Sequence, residues 1–454
     1  MNPDRCFDPE PSQRALARQL YQSVSSLPLI CPHGHVDVVS LANNQPFGSP
    51  AELLVIPDHY VFRMLYSQGV PLEQIKSNPN HREVWRIFCS HFHLFRGTPT
   101  GLWLRDELTS VFGILEKPSS ENADRLYDQL EALLKQPEFL PQALFKRFNI
   151  ATLCTTDAAT SSLEPHLKLQ QAGFDVRPTF RPDKLLDLTA TDWLGEIQKL
   201  EDLTQTIDDY KSFIAALKLR RIHFKEAGAT ATDHGVKYPH TQRLSDSETQ
   251  DIFTRALEKK STKKEAERFT AHMLLEFAQM SVEDGLVMQL HAGSHRNHNF
   301  LLHQQFGTDI GADIPVAVDW THGLEALLQE YGNDSRLRLI LFTLDESTYT
   351  RELAPLVGHY PALRLGPPWW FMDSVHGIER YLDSVVETTG LANLAGFNDD
   401  TRAFASIPAR HDVWRRTTCN WLAKQTLRGI IDQADAFEMA VDLAQNLVKK
   451  SYGL

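Results

Sequence analysis

The chain has 454 residues, of which 42% are hydrophobic, enough to bury a large core in a barrel with an insertion or in two domains. Its formal net charge of −12 repels phosphate backbones, so we expect no nucleic acid as a partner. The absence of a long apolar run argues against a membrane span, and five scattered cysteines without a CxxC pair predict reduced thiols in a cytoplasmic protein.

A short apolar run that ends in a polar cluster recurs eight times, and an amphipathic segment follows most of these runs. Continuous apolar runs are typical of strands that are buried on both faces of a parallel sheet. Eight such alternations predict an α/β fold, a (β/α)8 TIM barrel. The runs are LICPHGH from Leu29, IATLCTTD from Ile150, FDVRPTFR from Phe174, GATATDHG from Gly228, LVMQLHAG from Leu286, RLRLILFTLD from Arg336, ALRLGPPWW from Ala362 and ANLAGFNDD from Ala392.

The segment 45–145 interrupts this alternation between the first and second predicted strands. Its pattern is helical and aromatic, with turns such as SNPNHRE and RGTPTG. We therefore predict a helical insertion over 45–145 and a barrel formed by 1–44 and 146–454. Barrel active sites form from the loops that follow the strands, so the insertion is expected beside the site.

The first predicted strand runs into two histidines, His33 and His35. Residues i and i+2 of a strand point to the same side, so both imidazoles would face the barrel mouth. Neutral imidazoles are good ligands for zinc and similar divalent ions. A second pair of the same spacing, His91 and His93, lies in a helix or loop pattern, and we interpret it as solvated surface.

The other predicted strands also end in polar or aromatic side chains that suit a barrel active site. Structural alternatives exist for several of them: Asp233 could cap a helix, and His291 could be a buried core histidine. Taken together, they predict one site with metal ligands, a carboxylate and arginines at the open end of the barrel. These side chains are Asp157, Arg181, Asp233, His234, His291, Trp369, Trp370, Asp400 and Arg402.

Eight short motifs, in this order along the chain, resemble those of the uronate isomerases. They are the HxH above, DHYVFRML (58–65), TTD (155–157), RPTFRPD (177–183), TDHG (232–235), MQLHAGSHRNHN (288–299), WWFMD (369–373) and DDTRAF…RHDVWRR (399–416). The resemblance spans nearly the whole chain and implies a branch of the amidohydrolase superfamily, with a barrel of the metal-dependent hydrolase type. Three segments depart from the family pattern and suggest a divergent member: TPTGLWLRDEL (98–108), TTDAA (155–159) and RNHN, which contains His298.

The resemblance also implies the residues of the active site. His33, His35 and Asp400 would hold a divalent metal, with zinc expected and manganese as the alternative. Tyr60 and Arg402 would act on the substrate together with Asp400, which would be both ligand and base. The side chains implied or expected to bind the sugar acid are Arg181, which would take its carboxylate, and Asp233, His234, His291, Trp370 and Arg410.

The implied reaction interconverts hexuronate aldoses and ketoses, such as D-glucuronate with D-fructuronate and D-galacturonate with D-tagaturonate. It moves a proton from C2 to C1 through an enediol, and a divalent ion can stabilise the developing oxyanion. Tyr60 is a candidate for carrying this proton, for which a nearby cation such as Arg402 would have to lower its pKa. Two alternatives stay open: a metal-dependent hydrolase of a sugar acid, lactone or amide, and a non-catalytic sugar-acid binder. A homo-oligomer is also open.

Overall fold

Seven parallel strands form the central sheet of the computed structural model, which describes residues 1–454. The strands of the molecule are β1 (Leu29–Cys31), β2 (Ile150–Ala158), β3 (Val176–Arg181), β4 (Ala231–Val236), β5 (Val287–Ala292), β6 (Ser294–His295), β7 (Ile314–Pro315), β8 (Leu339–Thr343) and β9 (Leu363–Leu365). The sheet order is β1-β2-β3-β4-β5-β8-β9, and β6 and β7 form a separate antiparallel pair. Every residue of β5 and β8 is buried, which explains their unbroken apolar pattern.

The eighth predicted strand is reduced to a single point of pairing. Leu394 forms one parallel bridge to β9, and the carbonyl of Thr401 accepts a hydrogen bond from the backbone N–H of His35 at 3.0 Å, just after β1. The segment therefore closes the ring between β9 and β1 without a ladder. Gly396 and Asp400 have φ angles of 82° and 40°, which an extended strand does not allow. The predicted (β/α)8 barrel is confirmed with this one difference.

Helices surround the sheet and connect its strands. The α-helices are α1 (Pro11–Val24), α2 (Val38–Asn43), α3 (Pro50–Leu54), α4 (His59–Ser67), α5 (Glu73–Lys76), α6 (His81–Ser90), α7 (Pro99–Asp106), α8 (Ala123–Leu134), α9 (Pro141–Arg147), α10 (Glu164–Gln171), α11 (Asp183–Leu186), α12 (Trp193–Leu203), α13 (Tyr210–Glu226), α14 (Asp246–Leu257), α15 (Lys263–Asp284), α16 (Phe300–Phe306), α17 (Trp320–Gly323), α18 (Glu325–Tyr331), α19 (Ala354–Val357), α20 (Val375–Thr389), α21 (Ile407–Leu427), α22 (Gln433–Val441) and α23 (Leu447–Tyr452). Short 3-10 turns occur at Phe92–Phe95, Pro137–Phe139, Leu391–Asn393 and Phe404–Ser406, and π-helical turns at Glu107–Val111, Tyr349–Leu353 and Asp442–Asn446. None of the helices combines the length and the apolar content that crossing a membrane requires.

Helices α3 to α9 lie between β1 and β2, in the region predicted as an insertion. They bury an aromatic core that contains Phe62, Trp85 and Phe88, and this core extends to residues of β1, β2 and β3. The helices are therefore anchored to one side of the barrel, next to the strands that they connect. We retain 45–145 as the proposed extent of the insertion.

The carboxyl-terminal helix α23 closes the opposite end of the barrel from the predicted site. Val448 and Tyr452 of this helix pack with Ala231 and Val287, the first residues of β4 and β5. The Tyr452 hydroxyl also donates a hydrogen bond to Oε1 of Gln289 at 3.3 Å. Since this end of the barrel is filled, the carboxyl ends of the strands are left as the open face.

Candidate metal centre and active site

His33, His35 and Asp400 meet at the carboxyl ends of the strands. The Nε2 atoms of His33 and His35 lie 3.4 Å and 3.3 Å from Oδ1 of Asp400. The two imidazole planes are nearly perpendicular, at 85°, with ring centroids 5.3 Å apart. Both side chains therefore direct a nitrogen to the same carboxylate oxygen from different directions.

This donor set fits a divalent cation. Two imidazole nitrogens and a carboxylate oxygen are typical zinc ligands, and the three ligand atoms lie within 4.8 Å of one another. Oδ1 of Asp400 is buried and accepts no hydrogen bond, which leaves its lone pairs for a cation. Burial lowers the pKa of His35 to about 4, so its imidazole is neutral and able to ligate. The side chains around the triad therefore support a divalent metal at this position.

The triad lines a cavity of about 420 Å³, and most of the residues around this cavity are polar or charged. This volume lies within the range of small-molecule sites in proteins and accommodates a monosaccharide. Ten of the predicted site residues line it: His33, His35, Tyr60, Arg181, Asp233, His291, Trp369, Trp370, Asp400 and Arg402. The structure does not bring the other three, Asp157, His234 and Arg410, into its wall.

His234 lies on the face of β4 that is turned away from the cavity. Successive strand residues point to opposite faces, and its neighbour Asp233 faces the cavity. The His234 ring packs against Phe277 of α15 with centroids 4.7 Å apart, and its Nε2 is hydrogen-bonded to Oγ1 of Thr232 at 2.9 Å. The expectation that His234 binds substrate is therefore corrected: it is a core histidine between the sheet and α15.

His291 is held in one orientation by Asp233 and Arg181. Nδ1 of His291 donates to Oδ1 of Asp233 at 2.7 Å, and Oδ2 of Asp233 lies 3.3 Å from Nη1 of Arg181. Nε of Arg181 in turn donates to Oδ2 of Asp183 at 2.7 Å. The other imidazole nitrogen of His291, Nε2, is buried without a partner, beside the stacked ring of His33. Burial lowers the pKa of His291, so the ring is neutral and this nitrogen can accept a hydrogen bond from a ligand.

The Tyr60 hydroxyl is bonded to a carboxylate that the sequence analysis did not assign. It donates to Oδ2 of Asp373 at 2.8 Å, while the expected partner, Arg402, forms an ion pair with Asp309 at 2.8 Å. Arg410 is the cation near the Tyr60 ring that also binds Asp373, the hydrogen-bond partner of Tyr60. Its guanidinium carbon lies 5.1 Å from the ring centroid. Burial and the Asp373 carboxylate hold the pKa of Tyr60 well above its usual value, so the expectation of a lowered pKa is wrong.

Arg410 lies behind the cavity wall rather than in it. Its guanidinium stacks over the Trp103 ring at 3.9 Å, its Nε donates to Oγ of Ser406 at 2.9 Å, and its Nη1 donates to the Asp399 carbonyl at 3.3 Å. All of these partners are buried protein groups. The expectation that Arg410 binds substrate is therefore corrected: it supports Tyr60 and the backbone that leads into Asp400.

Several residues of the site were missed by sequence reasoning. Asp183 and Asp373 stand inside the quoted motifs RPTFRPD and WWFMD, so their place in a motif was the signal that could have found them. Lys184 follows the first of these motifs directly and lines the cavity. Asp309 lies in the loop between α16 and β7, where no motif or periodicity indicates it.

The segments that depart from the family pattern lie mainly outside the cavity. His298 is exposed, and its ring packs beside His295 at 5.3 Å. The segment 98–108 forms α7 and the start of a π-helical turn, and it supplies Trp103 beneath Arg410. Its effect on the site is therefore exerted through the residues that support Tyr60.

The barrel, the cavity at its open end and the converging imidazole and carboxylate donors define a metal-dependent barrel enzyme. A family model described as glucuronate isomerase matches residues 12–452. The chain belongs to the uronate isomerase family, and it is an enzyme, an isomerase. The alternatives of a hydrolase and of a non-catalytic binder are not favoured.

Individual relatives are similar to this chain over all or nearly all of its length. The uronate isomerase of Nostoc punctiforme is 56% identical over 464 residues, which cover 100% of this chain and 98% of that protein. The crystal structure of glucuronate isomerase from Caulobacter crescentus has a TM-score of 0.98 at 46% identity and covers 100% of this chain and 97% of its own. A structure described as a metal-dependent hydrolase, from Lactobacillus casei, covers 96% and 97% with a TM-score of 0.54 at 15% identity, and it shares the fold alone.

Proposed function

We propose that this protein interconverts hexuronate aldoses and ketoses, D-glucuronate with D-fructuronate and D-galacturonate with D-tagaturonate. Membership of the uronate isomerase family over nearly the whole chain supports the reaction class. The observation that carries the proposal is the convergence of His33, His35 and Asp400 on one point of a polar cavity. This geometry supports a cation site with room for a sugar acid beside it.

The metal ligands proposed are His33, His35 and Asp400, and zinc is the metal we propose, with manganese as the alternative. When bound, such an ion supplies electrostatic stabilisation of the oxygen that becomes negative as the enediol forms. The chain's own groups handle the protons: Asp400 has spare lone pairs for a hydroxyl proton, and Tyr60 is the proposed carrier between C2 and C1. His291 presents its free Nε2 to the same space and can accept a substrate hydroxyl hydrogen.

The substrate carboxylate needs a cation, and most cations of the cavity already have partners. Arg402 is paired with Asp309 and Arg296 with Asp313. Arg181 uses Nε and Nη1 for carboxylates, but its Nη2 makes no hydrogen bond, and Lys184 pairs with no carboxylate. We assign the substrate carboxylate to Arg181 Nη2 and Lys184, which lie in β3 and in α11 directly after it. This placement would fix the direction of the sugar in the cavity.

The direct test is an NMR assay in D₂O with metal-loaded protein and each uronate. We expect conversion to the ketose, with hydrogen transferred from C2 or deuterium incorporated at C1, because the proton moves through an acid–base group. The Asp400→Asn variant, which removes the negative charge of one proposed metal ligand, serves as the inactive control. Lack of turnover of both hexuronates by the metal-loaded protein would refute the proposal.

We also propose that the protein works in the cytoplasm. All five cysteines are free, and four of them are buried. Thiols of this kind persist in a reducing compartment. Cell fractionation with an antibody against the chain tests this, and recovery in a secreted or periplasmic fraction would contradict it.

A further inference from the structure

Asp373 lies directly behind Tyr60, in the loop between β9 and α20. Its Oδ2 accepts the Tyr60 hydroxyl hydrogen at 2.8 Å, and this is the only hydrogen bond of that hydroxyl. The same oxygen lies 3.3 Å from Nη1 of Arg410. Oδ1 of Asp373 is buried without a hydrogen-bond partner, and the whole side chain is only 13% exposed. Asp373 is therefore the one group that can take the Tyr60 proton directly.

The neighbouring groups hold the Asp373 carboxylate in position and leave it able to accept a proton. Arg410 is itself fixed by Ser406, by the Asp399 carbonyl and by the stacked ring of Trp103. It contacts Asp373 through one long bond to Oδ2, so Oδ1 keeps both lone pairs. A carboxylate that served only to hold Arg410 would be expected to use both oxygens in a bidentate pair.

We propose that Asp373 is a positioning residue that receives the Tyr60 hydroxyl proton during isomerisation. This inference rests on the function proposed above, and it adds a second member to the proton path.

The aldose reacts in two halves. The Tyr60 oxygen takes the proton from C2, the electron pair of that C–H bond forms the C1–C2 double bond, and O1 becomes negative. The original hydroxyl proton of Tyr60 passes to Asp373 at the same time. In the second half Tyr60 gives the substrate-derived proton to C1, Asp373 returns its proton to Tyr60, and the hydroxyl proton of O2 moves to O1.

The proton affinities agree with this order of transfer. Burial raises the pKa of Asp373 to about 6, against the opposing effects of Arg410 and of the Tyr60 hydrogen bond. The charged groups that face it are Arg410 of α21, Arg63 of α4 and, farther off, Asp400. Because burial holds the pKa of Tyr60 well above its usual range, a free phenolate is disfavoured, and the proton has to leave as another arrives.

Two substitutions at this position separate proton transfer from support of the fold. Asp373→Asn keeps the shape and a hydrogen-bond acceptor but cannot take a proton, whereas Asp373→Glu keeps the carboxylate in a larger side chain. We expect kcat to fall at least about 100-fold in the Asn variant with KM changed less than about 3-fold, and the Glu variant to be about tenfold faster than the Asn variant. A structural role predicts the reverse order, because Asn is the closer replacement in shape.

The matched control is Asp383→Asn, which removes a carboxylate from α20 outside the cavity. Asp383 accepts a hydrogen bond from Nε1 of Trp421 at 2.7 Å and touches neither Tyr60 nor the triad. We expect its kcat to stay within about 2-fold of the parent protein. Bound metal and melting temperature are measured for every variant, and Asp373→Ser replaces the Asn variant if that variant loses metal or melts early.

A double-mutant cycle with Tyr60→Phe tests whether Asp373 acts through Tyr60. The inference predicts that the double variant is no slower than Tyr60→Phe alone, because the second group has nothing left to relay. Additive losses, or a kcat of Asp373→Asn near that of the parent, would overturn the inference. A parent protein that turns over no uronate refutes the proposed function instead, so the two failures are distinguishable.

Discussion

Asp400 has a backbone conformation that few residues other than glycine adopt, with φ at 40°. Helix α21 fixes the residue before it: Arg410 donates to the Asp399 carbonyl at 3.3 Å, and Nε2 of His411 lies 3.3 Å from Oδ2 of Asp399. With its neighbour held through both backbone and side chain, Asp400 is turned toward the two ligand histidines. A short polar side chain tolerates this conformation better than most, which suits an aspartate at this position.

Replacement of Asp400 tests its role in holding the cation. Asp400→Asn keeps the shape but loses the negative charge that attracts the cation, so we expect turnover to fall at least about 100-fold and bound metal to decrease. Activity and metal content are measured on the same preparation, with circular dichroism as the test of folding.

The control for this substitution is Asp157→Asn. Asp157 also lies near the end of a strand, but it accepts from Thr155 at 2.8 Å and lies 3.5 Å from His166, outside the cavity. We expect its activity to remain within about 3-fold of the parent. Full activity of Asp400→Asn would remove this residue from the mechanism.

The proposed contact between Lys184 and the substrate carboxylate is tested by removing this cation. Lys184→Met keeps the length of the side chain but removes the cavity cation that has no carboxylate partner. A charge-assisted bond contributes about 1.5–3 kcal/mol, so we expect KM for the uronates to rise about 10- to 100-fold with kcat little changed. Steady-state kinetics measure it, and Lys199→Met, which removes an exposed lysine paired with Glu196, is the control. An unchanged KM would place the substrate carboxylate elsewhere.

At the scale of elements, the segment 392–401 shows how a predicted strand can give way to a turn. Gly396 has a φ of 82°, and a Cβ at this position would lie 2.5 Å from Cγ2 of Val448 in α23. The segment therefore bends where the terminal helix comes close, and the helix closes the lower end of the barrel at that point. A glycine is required here both by the backbone angle and by the contact.

Gly396→Ala should therefore destabilise the protein through two effects. The positive φ alone costs about 1 kcal/mol for alanine, and the clash with Val448 adds about 1–3 kcal/mol. Gly429→Ala isolates the first effect, since Gly429 has a φ of 68° and nothing within 4 Å of an added Cβ. Denaturant unfolding compares the two variants. Equal losses would show that the approach of α23 imposes no constraint on Gly396.

Glu107 is a buried acid where the insertion contacts α21, and its charge state depends on pH. Burial, together with nearby Asp58, raises the pKa of Glu107 from 4.5 to about 8. The folded state therefore binds a proton that the unfolded state releases, and the stability gained from neutral Glu107 is complete below about 4.5 and lost as pH rises through about 8.

Glu107→Gln, which cannot ionise, should flatten this part of the pH dependence. We expect the parent protein to lose stability relative to the variant between the two pKa values, by on the order of a few kcal/mol. Urea unfolding at a series of pH values measures the difference. Parallel pH profiles for the two proteins would show that Glu107 is charged in the fold.

At the scale of the whole molecule, the barrel and the ends of its strands were predictable because buried parallel strands leave long apolar runs. The meeting of His33, His35 and Asp400 follows from that topology, since all strand ends lie on one face. The error at His234 arose because Asp233 and His234 are neighbours, and only one of two successive strand residues can face the cavity.

Other features depend on three-dimensional paths that no local pattern encodes. The pairing of Arg402 with Asp309 is set by the course of the loop before β7. The burial of Arg410 depends on how helix α21 packs against the insertion, where Trp103 covers it. Together, these two interactions place Arg410, and not Arg402, beside Tyr60.

The central claim is that one divalent ion, held by His33, His35 and Asp400, is required for turnover of a hexuronate. The most direct measurement is a titration of metal-depleted protein with zinc and, separately, manganese, in which bound metal and isomerisation of D-glucuronate are followed together. We predict that activity rises in proportion to bound metal up to about one ion per chain and that His35→Asn binds less metal and shows little activity. Full activity in the metal-depleted protein, or metal binding unchanged by that substitution, would contradict the claim.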